Sequence, residues 1–200
     1  MALAWYWLGR AAYRRVLADQ LAARERVWAG GDGVVYLCEH PPVITLGRSA
    51  TPAHIIDAGD VPVERIERGG EVTYHGPGQL MVYPVVRVPG GVVAFLERVA
   101  AAIVDACVAF GVVGAAWQHD PAGVWLDGDK LAACGIHIAR GVSVHGYAIN
   151  VATPEAAWRR IRPCGLDVTQ VSLARALGRT IAVEDVAIEV GPRVVRALTM

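Results

Sequence analysis

Lysine is nearly absent from this chain. Of its 19 basic residues, 18 are arginine and one, Lys130, is lysine. Arginine stays protonated in a protein, whereas lysine gives up its proton when it is desolvated or sits beside another cation. Coding bias alone depletes lysine in a chain so rich in Ala, Val, Gly and Arg, so composition only nominates Lys130 for proton chemistry. Net charge is missing as well: 19 acidic residues balance the 19 basic ones, which excludes a bulk nucleic-acid binder. No run of five like charges occurs, although a local arginine patch facing an acidic partner stays open. None of the 4 cysteines pairs with another at CxxC spacing, so no zinc site is expected. The N-terminal stretch Met1-Ala2-Leu3-Ala4-Trp5-Tyr6-Trp7 has no basic region ahead of its apolar residues and does not read as a signal peptide. Without export, disulfides are not expected either. A clean membrane span is also lacking, because Asp105 interrupts the longest apolar stretch, Val99 to Trp117, and Gly111 and Gly114 break it. The expectation is a soluble, cytoplasmic protein with no metal, no nucleic-acid partner and no membrane.

What is present is ample core. Hydrophobic residues make up 54% of 200 residues, which suits one domain spanning 1–200 and argues against disorder. Leu3 to Leu8 reads as a strand. Arg10 to Trp28 reads as a helix with Tyr13, Leu17, Leu21 and Trp28 on one face. Strands are expected at Val34–Cys38 and Val43–Leu46, and either side of a Gly-rich turn within Glu64–Val86. Val92 to Phe110 forms a long buried helix, with Phe95, Leu96, Val99, Ile103 and Cys107 on one stripe and Gly111 closing it. Gly123–Leu126 and Lys130–Ala139 form a hairpin through Asp127-Gly128-Asp129, followed by a strand at Ser143–Val151. Pro154–Ile161 is a short helix and Arg162–Gly165 a loop. Two short helices, or a helix and a strand, complete the chain. Strands in neighbouring pairs with helices between them predict an α+β domain around a mixed β-sheet.

A cysteine is useful as a nucleophile only where it is reachable and ionisable. Cys38, Cys107 and Cys134 have apolar neighbours on regular elements, where free cysteine acts as a small hydrophobe. Cys164 differs. Pro163 and Gly165 place it at a turn, and Arg159, Arg160 and Arg162 make its surroundings electropositive, which favours the thiolate. Such a nucleophile needs a partner that takes and returns a proton. Lys130 is one candidate; His40, His75, His137 and His145 are the others. The densest motif is Arg68-Gly69-Gly70-Glu71-Val72-Thr73-Tyr74-His75-Gly76-Pro77-Gly78-Gln79-Leu80. Its glycines let backbone amides approach a ligand closely. It lacks the ending of a phosphate loop and does not fit the dinucleotide fingerprint.

Taken together the motifs resemble the lipoyl(octanoyl) transferase family. The blocks that carry the resemblance are Glu39-His-Pro-Pro-Val-Ile-Thr-Leu-Gly47, the Arg68–Leu80 motif with Tyr83-Pro84, Lys130-Leu-Ala-Ala-Cys-Gly135, His145-Gly-Tyr-Ala-Ile-Asn150 and Arg162-Pro-Cys-Gly165, with Val168–Leu173 downstream. The resemblance implies the fold of the catalytic domains of lipoate and biotin protein ligases. It implies that Cys164 attacks the thioester of octanoyl-acyl carrier protein and that the acyl-enzyme passes octanoate to one lysine of a lipoyl domain, in pyruvate or 2-oxoglutarate dehydrogenase E2 or glycine cleavage H protein. Lys130 then serves as general acid/base. Arg68 to His75 line the acyl site, and Ala133, Cys134 and Gly135 with Gly146, Tyr147 and Ala148 form its facing wall. No cofactor is implied, since the donor is already a thioester, and a monomer is expected. Both partner types are acidic, so Arg14, Arg15, Arg140, Arg159 and Arg160 are candidates for docking. Two other readings remain at this point: an ATP-dependent lipoate or biotin-type ligase, and a non-catalytic module that binds acyl carriers or lipoyl domains.

Overall fold

A computed structural model describes residues 3–162 and 168–200. Its centre is a seven-stranded mixed sheet in the order β1-β2-β6-β10-β9-β8-β7. These strands are β1 (Ala4–Arg10), β2 (Val34–Glu39), β6 (Gln79–Val85), β7 (Ala116–Gln118), β8 (Gly123–Leu126), β9 (Asp129–Ala139) and β10 (Val142–Asn150). β1 runs parallel to β2, and the other neighbours are antiparallel. A small second sheet has the order β4-β3-β5, built from β3 (Val43–Leu46), β4 (Val63–Arg65) and β5 (Val72–His75). Helices α1 (Tyr13–Trp28), α2 (Val92–Phe110), α3 (Glu155–Trp158), α4 (Leu173–Leu177) and α5 (Val183–Thr199) complete the described chain. The α+β class and the mixed sheet are as expected from sequence.

The period-2 alternation of the central strands divides the core in two. Leu80 and Val82 of β6, Val35 and Leu37 of β2, and Tyr147 and Ile149 of β10 pack with α2 and α5. Met81 and Tyr83 of β6, Cys38 of β2 and Ala148 of β10 face the other way, with Val16 of α1. Helix α2 keeps the expected bounds, because Gly111 adopts the left-handed conformation that ends it (φ 99°).

Two local expectations need correction. In α1 the buried positions are Tyr13, Val16, Gln20, Ala23 and Val27, whereas Leu17, Leu21 and Trp28 lie on the shoulder of that face. Size misled: polar Gln20 is buried because its Oε1 accepts the His145 N–H at 2.7 Å, small Ala23 packs with Val34, Val85 and Val144, and the larger apolar residues cover the rim. The chain also finishes with a short helix and a 17-residue one, not with two short elements. Gly191 and Pro192 both sit inside α5. Gly191 is there because a Cβ would lie 2.5 Å from the Trp5 ring, so only glycine lets α5 press onto β1. Pro192 costs the helix one donor to residue 188, at a turn whose Ile188 side chain is exposed.

Candidate functional site

The turn from Arg68 to His75 is held by Arg68 itself. The Arg68 side chain is buried, and its Nε donates to Thr45 Oγ1 at 3.1 Å. Its Nη2 donates to Thr45 O at 2.7 Å and to Glu71 O at 2.6 Å, and its Nη1 donates to Gly69 O at 2.9 Å. The guanidinium thus serves as a bracket that satisfies turn carbonyls which β pairing leaves over. The turn lies against the residue after β3 and against β9 at two glycines, closely enough to exclude a side chain at Gly47 and to crowd one at Gly135. A Cβ on Gly47 would sit 2.1 Å from Gly70 O, and one on Gly135 would sit 3.2 Å from Arg68 Cδ and Gly69 O. Gly69 then donates its N–H to Ile136 O at 3.0 Å, which ties the turn to β9.

Between this turn and the main sheet is a cavity of about 400 Å³. Its floor is narrow in side chains. β9 and β10 pair Ala133 with Ala148 and Gly135 with Gly146, so two successive same-face pairs carry a methyl or nothing. The result is an apolar trough, with Met81, Tyr83, Leu96 and Val72 at its margins. It suits an unbranched aliphatic chain better than a large or highly polar ligand.

Lys130 borders the same cavity and is only 4% exposed. It sits early in β9, opposite Trp125 of β8, with Nζ 4.7 Å from the Trp125 ring centroid. Its peptide is fixed on both sides by the chain that resumes at Val168: the Lys130 N–H donates to Thr169 O at 2.9 Å, and Val171 N–H donates to Lys130 O at 3.1 Å. Cys164 falls within 163–167, outside the described residues. The segment just before them is also fastened, since Arg162 N–H donates to His54 O at 2.8 Å. His54 in turn pairs with Glu71 of the turn at 3.1 Å.

The histidines have defined roles. His40 is buried, donates from Nδ1 to Ala11 O at 2.6 Å and accepts at Nε2 from Tyr83 at 3.0 Å; burial lowers its pKa. His75 and His145 both border the cavity. Burial pushes each imidazole down to about 3, with the Arg68 charge adding to the effect. His137 lies 3.5 Å from Glu67. The cavity wall therefore presents neutral imidazoles at pH 7. His145 is held at φ 62°, unusual for a non-glycine residue in a strand. The described thiols are all suppressed: burial raises Cys38, and pushes Cys107 and Cys134 up to about 12. None of the three is prepared for nucleophilic attack.

Of the residues singled out from sequence, Arg68 to Thr73, His75, Lys130, Ala133 to Gly135 and Gly146 to Ala148 border this one cavity. Tyr74 does not. It packs instead on the Trp158 ring at 6.1 Å and into a small core with Ile44 and Leu46. Cys134 and Tyr147 pair across β9 and β10 on the face toward α2, where Tyr147 donates to Leu96 O at 2.8 Å. Among the arginines considered for docking, Arg14 forms a two-pronged pair with Glu64 at 2.7 and 2.8 Å, Arg160 caps Ala58 O at 3.1 Å, and Arg140 stacks on Trp28 at 4.4 Å. Arg15 and Arg159 are exposed. Sequence reasoning missed Tyr13 and Gln170 on the cavity wall. No motif marks Tyr13, which arrives from a helix; Gln170 lies in the Val168–Leu173 block, to which the resemblance assigns no site role.

Comparison with known proteins gives a consistent set of relatives. The lipoyl protein ligase A/B catalytic-domain model matches residues 12–191. An octanoyltransferase of Mycolicibacterium gilvum is 39% identical over 201 residues, covering 96% of this chain and 84% of the relative. One from Pseudomonas fluorescens is 42% identical over 172 residues, covering 82% of this chain and 79% of the relative. Among solved structures, a lipoate-protein ligase A bound with ATP superposes with a TM-score of 0.84 at 13% identity, over 100% of this chain and 86% of that one. A biotin protein ligase from Aquifex aeolicus gives 0.53 at 12% identity, over 98% and 68%. At these identities the structures speak to the fold alone.

Proposed function

The chain belongs to the lipoyl protein ligase A/B catalytic-domain family and is an acyltransferase that moves octanoyl groups in protein lipoylation; we propose that it does so through an acyl-thioester on Cys164. Its partners are an acyl donor and a lipoyl-domain acceptor. We take the donor to be octanoyl-acyl carrier protein. We take the acceptors to be the lipoyl domains of 2-oxoacid dehydrogenase E2 and glycine cleavage H protein. The protein works as one monomeric, cytoplasmic domain without metal or nucleotide.

In the first half-reaction the Cys164 thiolate attacks the donor thioester carbonyl. The donor C–S bond breaks, and its departing thiolate takes a proton from the Lys130 ammonium. In the second, the acceptor lysine amine attacks the acyl-enzyme and gives a proton to the now neutral Lys130. Cys164 leaves as thiolate, so thiolate and ammonium are both restored. Backbone N–H groups of the glycine-lined wall are suited to stabilise the oxyanion. Arg68 to His75, Ala133 to Gly135 and Gly146 to Ala148 shape the acyl slot, with the Tyr74 ring bracing the turn from behind.

The observation that carries this reading is the placement of Lys130. The chain's one lysine lies buried at the wall of an apolar trough and is hydrogen-bonded through its peptide to the segment that follows Cys164. The suppressed thiols elsewhere support the same assignment. Intact-protein mass spectrometry after mixing with octanoyl-acyl carrier protein tests it. One octanoyl adduct is expected without ATP, absent in Cys164→Ser and kept in Cys107→Ala. An adduct elsewhere, or loading of free octanoate only with ATP, overturns the reading in favour of another nucleophile or a ligase.

A further inference from the structure

Beneath the cavity runs a chain of side-chain hydrogen bonds that none of the roles above uses. Arg68 donates to Thr45 Oγ1, which lies 3.4 Å from His75 Nε2; His75 Nδ1 lies 2.8 Å from Gln79 Oε1; and Gln79 Nε2 donates to Asn150 Oδ1 at 3.1 Å. Asn150 Nδ2 then donates to Lys130 O at 3.3 Å and to Gln170 Oε1 at 3.2 Å. The polarity is forced from one end. Lys130 O only accepts, so the Asn150 amide nitrogen must face it. Asn150 Oδ1 then accepts from Gln79, whose own oxygen accepts from His75 Nδ1–H. That leaves His75 Nε2 as acceptor for the Thr45 hydroxyl. Every link points from Arg68 toward Lys130, with no conflict. Thr153 Oγ1 gives its one proton to Gly78 O at 3.1 Å and lies 3.5 Å from Asn150 Oδ1, so the 2% exposed amide has both hydrogens and one lone pair engaged.

We propose that Asn150 is a positioning residue for the transfer reaction: it clamps the Lys130 peptide and Gln170 together at the end of β10 and ties both to the Arg68–His75 turn. The placement allows little else. Asn150 pairs in register with Gln79 of β6, and Gln170 bridges the Lys130 backbone, so one amide spans β6, β9 and the chain returning after the loop. It touches no part of the trough. It acts by fixing where Lys130 stands relative to the segment it serves. The proposal rests on the Cys164–Lys130 reading.

The test compares Asn150→Ala with wild type and with Lys130→Met. The readouts are the single-turnover rate of octanoyl transfer to Cys164 and the pH midpoint of Cys164 alkylation by iodoacetamide, mapped by peptide mass spectrometry. Asn150→Ala should slow acylation up to about a hundredfold, the cost of misplacing a reacting group by an ångström. It should also move the alkylation midpoint upward, in the direction Lys130→Met moves it, while a cooperative melt is retained. A general loss of stability does not move that midpoint. If Asn150→Ala fails to fold, Gln170→Ala removes the other end of the clamp and should give the same shift; where both fold, their effects on the midpoint should be non-additive. Wild-type rate and midpoint in a folded Asn150→Ala, or in Gln170→Ala where Asn150→Ala does not fold, overturn the clamp and leave the Cys164–Lys130 reading standing. No wild-type adduct on Cys164, or a midpoint unmoved by Lys130→Met, overturns both.

Discussion

Lowering the pH from 7 to 5 should destabilise this protein steeply, and buried imidazoles should set the slope. His75 and His145 are held at about 3 by burial beside Arg68, whereas an imidazole in the unfolded chain titrates near 6.5. With the folded pKa below the unfolded one, the unfolded chain binds more protons throughout that window. The stabilisation is fully present above about pH 6.5 and is lost progressively as the pH falls toward about 3. Between pH 7 and 5 each group accounts for a loss of about 2 kcal/mol, hence about 4 kcal/mol for the pair. His40 is lowered by burial as well and acts in the same direction. Against a typical domain stability of about 5–15 kcal/mol this is a large fraction. Urea unfolding at pH 7, 6 and 5, followed through the 6 tryptophans, measures it. His75→Gln removes one titrating ring while leaving an amide that can bond Thr45 and Gln79. Whatever that variant costs at pH 7, its drop to pH 5 should be smaller by about 2 kcal/mol. A wild-type drop below about 1 kcal/mol, or an unchanged drop in His75→Gln, would refute the reasoning.

Other outcomes follow from the same geometry. Lys130→Arg keeps the charge but cannot cycle a proton, so turnover in a coupled transfer assay should fall by about 10²–10⁴-fold; near-wild-type turnover reduces Lys130 to an electrostatic neighbour. Transfer from a preformed octanoyl thioester should persist in EDTA and without nucleotide, and loss under either condition shows a missing cofactor. Gly191→Ala places a methyl 2.5 Å from the Trp5 ring and should destabilise by about 1–3 kcal/mol in equilibrium unfolding, the usual cost of overpacking; an unchanged midpoint means that α5 can lift from β1 at no cost.

Much of this molecule is written locally in its sequence. Helix α2 announces itself through its apolar stripe and Gly111, and the β8–β9 hairpin through Asp127-Gly128-Asp129, because both depend on neighbours within a few residues. Reading fails where a distant partner decides. The chain after Val168 reads as ending in short elements, whereas α5 runs 17 residues through Gly191, where Trp5 packs against it. The buried face of α1 is expected at Leu17 and Leu21, whereas Gln20 is buried because the His145 N–H claims its oxygen across 125 residues of chain. The Gly-rich motif and Lys130 are conspicuous as residue types, and the structure gathers them around one trough. The hydrogen bonds that join them through Gln79, Asn150 and Gln170 depend on the register of β6, β9 and β10, which no single segment encodes.

The contact between Trp5 and Gly191 has a consequence for the order of assembly. β1 is an edge strand with one neighbour, β2, and its outer packing comes from α5, nearly the whole chain away. A ribosome releases β1 early, yet the helix its Trp5 indole presses against at Gly191 follows much later. Contacts of such long sequence separation form late and slow folding. In the interval the nascent chain carries an unpaired strand edge and an exposed tryptophan, the features that recruit chaperones and seed aggregation. The glycine that lets α5 sit flush on β1 therefore sets a contact of long sequence separation, of the kind that slows folding.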